Sequence, residues 1–212
     1  MKFVSTRGEA PALSFEGALL AALARDGGLY LPETWPTLEP AAIAGLAGLD
    51  YADAAYRVMS PYLTGDPCLA DLEAVLADAY GSFHHPAVAP LRQIAPNSFI
   101  LELFHGPTLA FKDLAMQVVA RLMNRALLRK GTHATVIGAT SGDTGAAAIE
   151  AFRGLEAIDR ARHVVRMRVD VDVDGAPEQP SGVAGTPTLT AYRHSTACPQ
   201  DTHHRDQSGE VS

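Results

Sequence analysis

Phe104-His105-Gly106-Pro107-Thr108-Leu109-Ala110-Phe111-Lys112-Asp113 is the stretch around which this chain is organised. The apolar run at 98–103 before it predicts a strand, and the periodic pattern from Leu114 to Leu128 after it predicts a long helix. Helix N-termini present free backbone N–H groups and a partial positive charge. A strand-to-helix junction of this kind therefore indicates a functional site.

Lys112 is the candidate reactive residue of this junction. It is one of only three lysines, with Lys2 and Lys130, and it lies between Phe111 and an apolar helix face. Partial desolvation disfavours the ammonium form and leaves a free amine that can form a Schiff base. Taken alone, Lys112 is more readily interpreted as a surface lysine at the start of a helix.

A second glycine-rich motif follows another predicted strand at 134–139. The motif is Thr140-Ser141-Gly142-Asp143-Thr144-Gly145, and a helix is predicted after it from Ala146 to Arg153. Glycines let backbone N–H groups close on an anion, and side-chain hydroxyls add further donors. The alternative is a helix start capped by Asp143 or Thr144 with no ligand.

The two motifs, in this order and spacing, resemble the N-terminal part of threonine synthases. These are pyridoxal-phosphate enzymes of the tryptophan-synthase-β-like fold, also called fold type II. The resemblance implies conversion of O-phospho-L-homoserine and water to L-threonine and phosphate. It also implies that Lys112 binds the aldehyde of pyridoxal 5'-phosphate and then acts as general base and acid. The substrate-binding residues that it implies are Thr140, Ser141, Asp143 and Thr144.

Other functions stay open at this point. Amino-acid dehydratases and cysteine synthases share the fold, but they carry Asn at the position of Asp143. They also lack the sequence His105-Gly106-Pro107-Thr108 that precedes the lysine here. A truncated, noncatalytic fragment is a second alternative. A dinucleotide-binding module is disfavoured, because Gly138, Gly142 and Gly145 do not form Gly-x-Gly-x-x-Gly.

The pattern predicts an α/β protein with three regions. Residues 1–83 form an N-terminal helical subdomain, with helices near 14–25, 41–46, 51–62 and 68–80. Residues 84–156 form a partial α/β domain with a parallel βαβ core, which binds the cofactor according to the resemblance. Residues 157–212 form an irregular, divergent tail.

The tail differs from the rest of the chain in its composition, and the resemblance to threonine synthases does not extend into it. Leu, Ile, Val and Phe make up nine of the 56 residues from 157 to 212, which is about 16%. This fraction is below the ~20% associated with disorder. Its alternating segment 165–174 suits an exposed edge strand. The family's phosphate-binding loop and the hydroxyl residue facing the pyridine nitrogen have no counterpart in this chain. We hypothesise a frameshifted or fused sequence after Glu156, which translation of the other two reading frames would test.

The amino-acid composition of the chain limits the classes of partner that we expect it to bind. Seventeen basic and 24 acidic residues give a formal charge of −7, which argues against a nucleic-acid partner. Cys68 and Cys198 make no disulfide framework, and we expect a cytoplasmic protein without a secretory signal or membrane span. His84-His85 lacks further ligands at metal-binding spacing, so no metal site is expected. His105 is expected to hold the turn by hydrogen bonding.

Overall fold

The computed structural model describes residues 1–137, 142–159 and 190–192. Within these ranges short strands alternate with helices, and the helices carry most of the packing. The elements in chain order are β1 (Phe3–Ser5), α1 (Phe15–Ala21), β2 (Tyr30–Pro32), α2 (Pro40–Ala44), α3 (Tyr51–Met59), a 3₁₀ helix (Ser60–Leu63), α4 (Leu69–Gly81), β3 (Leu91–Ala95), β4 (Ser98–Leu101), α5 (Asp113–Arg129), β5 (Thr135–Ile137), α6 (Asp143–Phe152), α7 (Glu156–Asp159) and β6 (Thr190–Tyr192).

The largest hydrophobic cluster joins α4 to α5. Leu72 and Leu76 of α4 are fully buried against Val118 and Leu122 of α5, and α3 packs on the same cluster from outside. The four-residue spacing of Leu114, Val118, Leu122 and Ala126 predicted an apolar stripe on this helix; the last three are buried and Leu114 is half-buried. Helix α5 thereby connects the helical first part of the chain to the elements that follow it.

Helix α1 begins at the cap that the sequence predicts but ends early. The Ser14 hydroxyl accepts a hydrogen bond from the Gly17 N–H at 3.1 Å, which satisfies one unpaired donor of the first turn. The helix ends at Ala21 because Ala22 has a φ of 60°, in the left-handed region. The predicted extension to residue 25 is therefore wrong.

The strands pair differently from the prediction. In the part of the chain that the structure describes, β1 pairs with β2, β3 with β4, and β5 with β6, and all three pairs are antiparallel. No parallel βαβ pairing of β4 with β5 is present among these residues. The antiparallel pairing of β3 with β4 has a local reason: only Pro96 and Asn97 separate the two strands, and Asn97 takes a left-handed φ of 56°. A connection this short permits only an antiparallel pair.

The ordered structure continues past Glu156. Ala157 is fully buried beside Leu127 and Ala134, and its N–H donates to Asn124 Oδ1 at 2.9 Å. Residues 190–192 contribute the backbone of β6. The rest of the predicted tail, including the segment 165–174, lies outside the described ranges, and the predicted domain boundaries stay predictions.

Candidate functional site

Lys112 lies at the N-cap position of α5. Its φ and ψ of −66° and −22° are already helical, and its carbonyl accepts from the Met116 N–H at 2.9 Å. The side chain is half-buried, and Nζ lies 4.2 Å from the centroid of the Phe111 ring. This cation–π contact covers one side of the amine. Because Phe111 is itself exposed, the amine remains near the protein surface.

The turn before Lys112 closes around the carboxylate of Asp113. Thr108 donates its backbone N–H to Asp113 Oδ2 and its hydroxyl to Oδ1, both at 2.8 Å. Asp113 has no solvent exposure. Gly106 packs so closely on it that a Cβ at Gly106 would lie 2.5 Å from Oδ2. The position therefore requires glycine, and the turn is tied to the first residue of α5.

The other end of the junction is held by His105. Its Nε2 lies 2.8 Å from Glu102 Oε2, and its carbonyl accepts from the His84 N–H at 2.9 Å. The His85 ring stacks at 4.9 Å from the His105 ring, with a tilt of 44°. The predicted hydrogen-bonding role of His105 is confirmed. Across the described ranges, no group of three or more His, Cys, Asp and Glu side chains is arranged to hold a metal.

Only part of the second motif falls within the described ranges. Thr140 and Ser141 lie outside them. Asp143 is the exposed first residue of α6, Thr144 is half-buried, and Gly142 occupies the N-cap position without a side-chain cap. The alternative in which Asp143 or Thr144 is the N-cap does not hold, because both residues lie inside the helix. Asp143 instead places its carboxylate in the first turn, where the helix dipole favours a negative charge.

The helices that carry the two motifs pack directly on each other. Ala120 and Met123 of α5 form a buried cluster with Ala148, Ala151 and Phe152 of α6. Small residues on both surfaces allow this close approach. The N-terminus at Lys112 and the N-terminus at Asp143 thus belong to one packed helix pair.

Two acidic residues at the site were not selected by sequence reasoning. Asp113 ends the quoted motif and Glu102 lies two residues before its start, but neither was assigned a role. A signal was available for Asp113, because an acidic residue directly after a junction lysine enters the first helical turn. Its full burial depends on how residues 106–108 fold back, which no local pattern reveals.

Sequence comparison identifies what this arrangement resembles. Residues 2–80 match the family model described as threonine synthase N terminus. The threonine synthase of Pseudomonas aeruginosa is 52% identical over 159 residues, which cover 75% of this chain and 34% of that protein. The predicted resemblance to the N-terminal part of threonine synthases is confirmed. This chain spans about a third of the length of the threonine synthases that it matches.

Solved threonine synthases have the same fold over this region. The crystal structure of PLP-bound threonine synthase from Brucella melitensis is 56% identical, with a TM-score of 0.72, over 74% of this chain and 34% of that one. The yeast threonine synthase is 38% identical, with a TM-score of 0.69 and the same coverage. The mixed α/β architecture of the described residues is therefore that of the N-terminal third of a threonine synthase.

No helix in the described part of the chain combines the length and apolar character needed to cross a membrane.

Proposed function

We propose that this chain carries the lysine side of a threonine synthase site, in which Lys112 binds pyridoxal 5'-phosphate covalently through the cofactor aldehyde. The observation that supports this most is the half-buried Lys112 amine, placed at the start of α5 and covered on one side by Phe111. A primary amine at the surface of a site is the donor that an aldehyde requires. The residues present therefore fit this end of the cofactor.

The proposed reaction converts O-phospho-L-homoserine and water to L-threonine and phosphate. When bound, pyridoxal phosphate serves as an electron sink for negative charge on the adjacent substrate carbon. Lys112 Nζ first holds the cofactor and afterwards moves protons to and from substrate carbons as base and acid. The cation–π contact with Phe111 restricts where Nζ can point while it does so.

The substrate's carboxylate is assigned to the start of α6. The Thr144 hydroxyl and the backbone N–H groups of the first turn provide donors, and the hydroxyl residues Thr140 and Ser141 of the same motif are assigned to the same group of the substrate. Asp143 is assigned to the amino-acid end of the substrate. The fold-type-II architecture and a cytoplasmic location are parts of the same proposal, and cell fractionation tests the location.

Trapping the cofactor on the protein tests the proposal. The purified chain is mixed with pyridoxal phosphate, reduced with borohydride and digested, and the labelled lysine is located by mass spectrometry. We expect a label on Lys112 and an absorbance band that Lys112→Ala abolishes. Lys2→Ala is the matched control, because Lys2 is exposed and distant in sequence, and it should retain both signals. Equal labelling of Lys2, Lys112 and Lys130 would remove Lys112 from the proposed role.

A turnover assay separates the alternatives. Release of phosphate from O-phospho-L-homoserine supports the threonine synthase reaction. Formation of an oxo acid from serine or threonine would instead indicate a dehydratase. Lys112 labelling without either reaction would indicate a fragment that binds the cofactor but does not catalyse.

A further inference from the structure

The carboxylate of Asp113 is the least exposed charged group beside the candidate site, and the proposed chemistry does not use it. It has no solvent exposure, and acidic residues are rarely buried so completely. Within the described ranges no ion pair is formed by Asp113, and its oxygens accept only from Thr108. A buried carboxylate with this pattern holds backbone in place by hydrogen bonds.

The hydrogen bonds of Asp113 close the chain around Lys112 from both directions. On one side the Thr108 N–H and hydroxyl are fixed to the two carboxylate oxygens at 2.8 Å. On the other side Asp113 begins α5, and its own N–H donates to the Ala110 carbonyl at 3.0 Å. Lys112 lies between these attachments, one residue before Asp113. The direction of its Cα–Cβ bond is therefore set by these hydrogen bonds of Asp113 with Thr108 and Ala110, which together we call the clasp.

We propose that Asp113 is a positioning residue, which directs Lys112 Nζ toward the cofactor aldehyde through its two hydrogen bonds with Thr108. This inference rests on the proposed role of Lys112. It also specifies how Asp113 acts: the hydrogen-bond geometry carries the effect, and the negative charge does not. Gly106 completes the clasp, since its contact with Asp113 leaves no space for a side chain at position 106.

The role of the geometry can be separated from that of the charge by two substitutions at the same position. Asp113→Asn removes the charge but keeps both hydrogen bonds, because the amide oxygen accepts from the Thr108 N–H and the amide nitrogen donates to the Thr108 hydroxyl. Asp113→Ala removes both hydrogen bonds. The full chain of each variant is labelled with pyridoxal phosphate and borohydride, and the ratio of label on Lys112 to label on Lys2 is measured.

We expect Asp113→Asn to retain the wild-type ratio and Asp113→Ala to lower it at least about tenfold, as displacement of a reacting group by about 1 Å does. Equal losses in both variants would overturn the inference in favour of a charge effect. An unchanged ratio in Asp113→Ala would overturn any positioning role. Circular dichroism of each variant establishes that the helices are retained.

Thr108 provides the second test if Asp113→Ala fails to fold. Thr108 is only half-buried, so its substitutions disturb packing less. Thr108→Val removes the hydroxyl donor and should lower the labelling ratio, whereas Thr108→Ser keeps the donor and should restore it. Equal ratios in these two variants would contradict the inference.

A cofactor-independent probe separates failure of this inference from failure of the proposed function. Acetic anhydride acylates exposed amines without requiring a cofactor site. If pyridoxal phosphate does not select Lys112 even in the unaltered chain, the proposed function fails. The positioning role then stands only if Asp113→Ala, and not Asp113→Asn, changes the acylation of Lys112 relative to Lys2.

Discussion

Arg129 Nη2 lies 2.6 Å from Glu16 Oε2, joining the last turn of α5 to the first turn of α1 across 113 residues of sequence. Lys130 Nζ lies 2.7 Å from the other oxygen of the same carboxylate. Arg129 also contacts Asp71 of α4. Arg129 and the buried Glu16 together thus connect α1, α4 and α5 around the main hydrophobic cluster.

We expect Glu16→Gln to lower the free energy of unfolding by about 2 kcal/mol. Breaking a fully buried ion pair costs more than this, but the side chains of Arg129 and Lys130 are 32% and 40% exposed and partly screened by solvent. Urea denaturation followed by circular dichroism measures the change. Glu150→Gln is the control, since its pair with Arg153 is on the surface and should contribute at most about 0.5 kcal/mol. Equal effects would show that the Glu16 pair is not important for stability.

Stability should decrease in acid through Glu16 and Asp66. Burial raises the pKa of each carboxyl, but Lys130 and Arg129 outweigh it at Glu16, and the N–H donors of Glu16 and Cys68 outweigh it at Asp66. Both pKa values are therefore lowered on folding. A lowered pKa stabilises the fold above the ordinary value of about 4, and this contribution is lost as the pH falls through the folded-state pKa.

Urea titrations from about pH 6 to about pH 3 measure this dependence. The Glu16→Gln variant should show a shallower decrease in the free energy of unfolding than the unaltered chain. An identical pH dependence in the two proteins would contradict the assignment to Glu16.

Leu76→Ala should be among the more destabilising substitutions in the helical cluster. Leu76 is fully buried between α4 and α5, and truncation to alanine removes apolar contacts and leaves a cavity at a cost of about 3 kcal/mol. Thermal unfolding measures the effect. Ile43→Ala on α2, where the side chain is 55% exposed, should change stability by less than about 1 kcal/mol. A comparable loss at both positions would place the core elsewhere.

Cys68 should be unreactive in the folded protein. Burial, together with the negative charge of Asp66, raises the pKa of its thiol to about 12, so little thiolate is present near neutral pH. A Cys198→Ser variant leaves Cys68 as the only thiol, and its reaction with a disulfide reagent can be followed by absorbance. We expect slow reaction in buffer and rapid reaction in urea. Rapid reaction in buffer would indicate that this part of the core opens readily.

Local signals in the sequence predicted the helices well. The Ser14 hydroxyl marked the start of α1, and the spacing of Val118, Leu122 and Ala126 marked the buried face of α5. Such features depend on contacts within three or four residues along the chain. The two motifs were also sufficient to indicate the resemblance to threonine synthases. In contrast, a polar N-cap at Asp143 or Thr144, which the sequence left open for α6, is not what the structure has, because Gly142 takes that position.

The sequence by itself thus determined where the helices lie and which lysine begins α5. Only the tertiary structure decided that β5 pairs with the distant β6, that Glu16 meets Arg129, and that Asp113 is buried under the turn at Thr108. The physical reason is that a helix satisfies its hydrogen bonds within its own segment. A strand or a buried carboxylate must find its partner elsewhere, and that choice depends on how the whole chain packs.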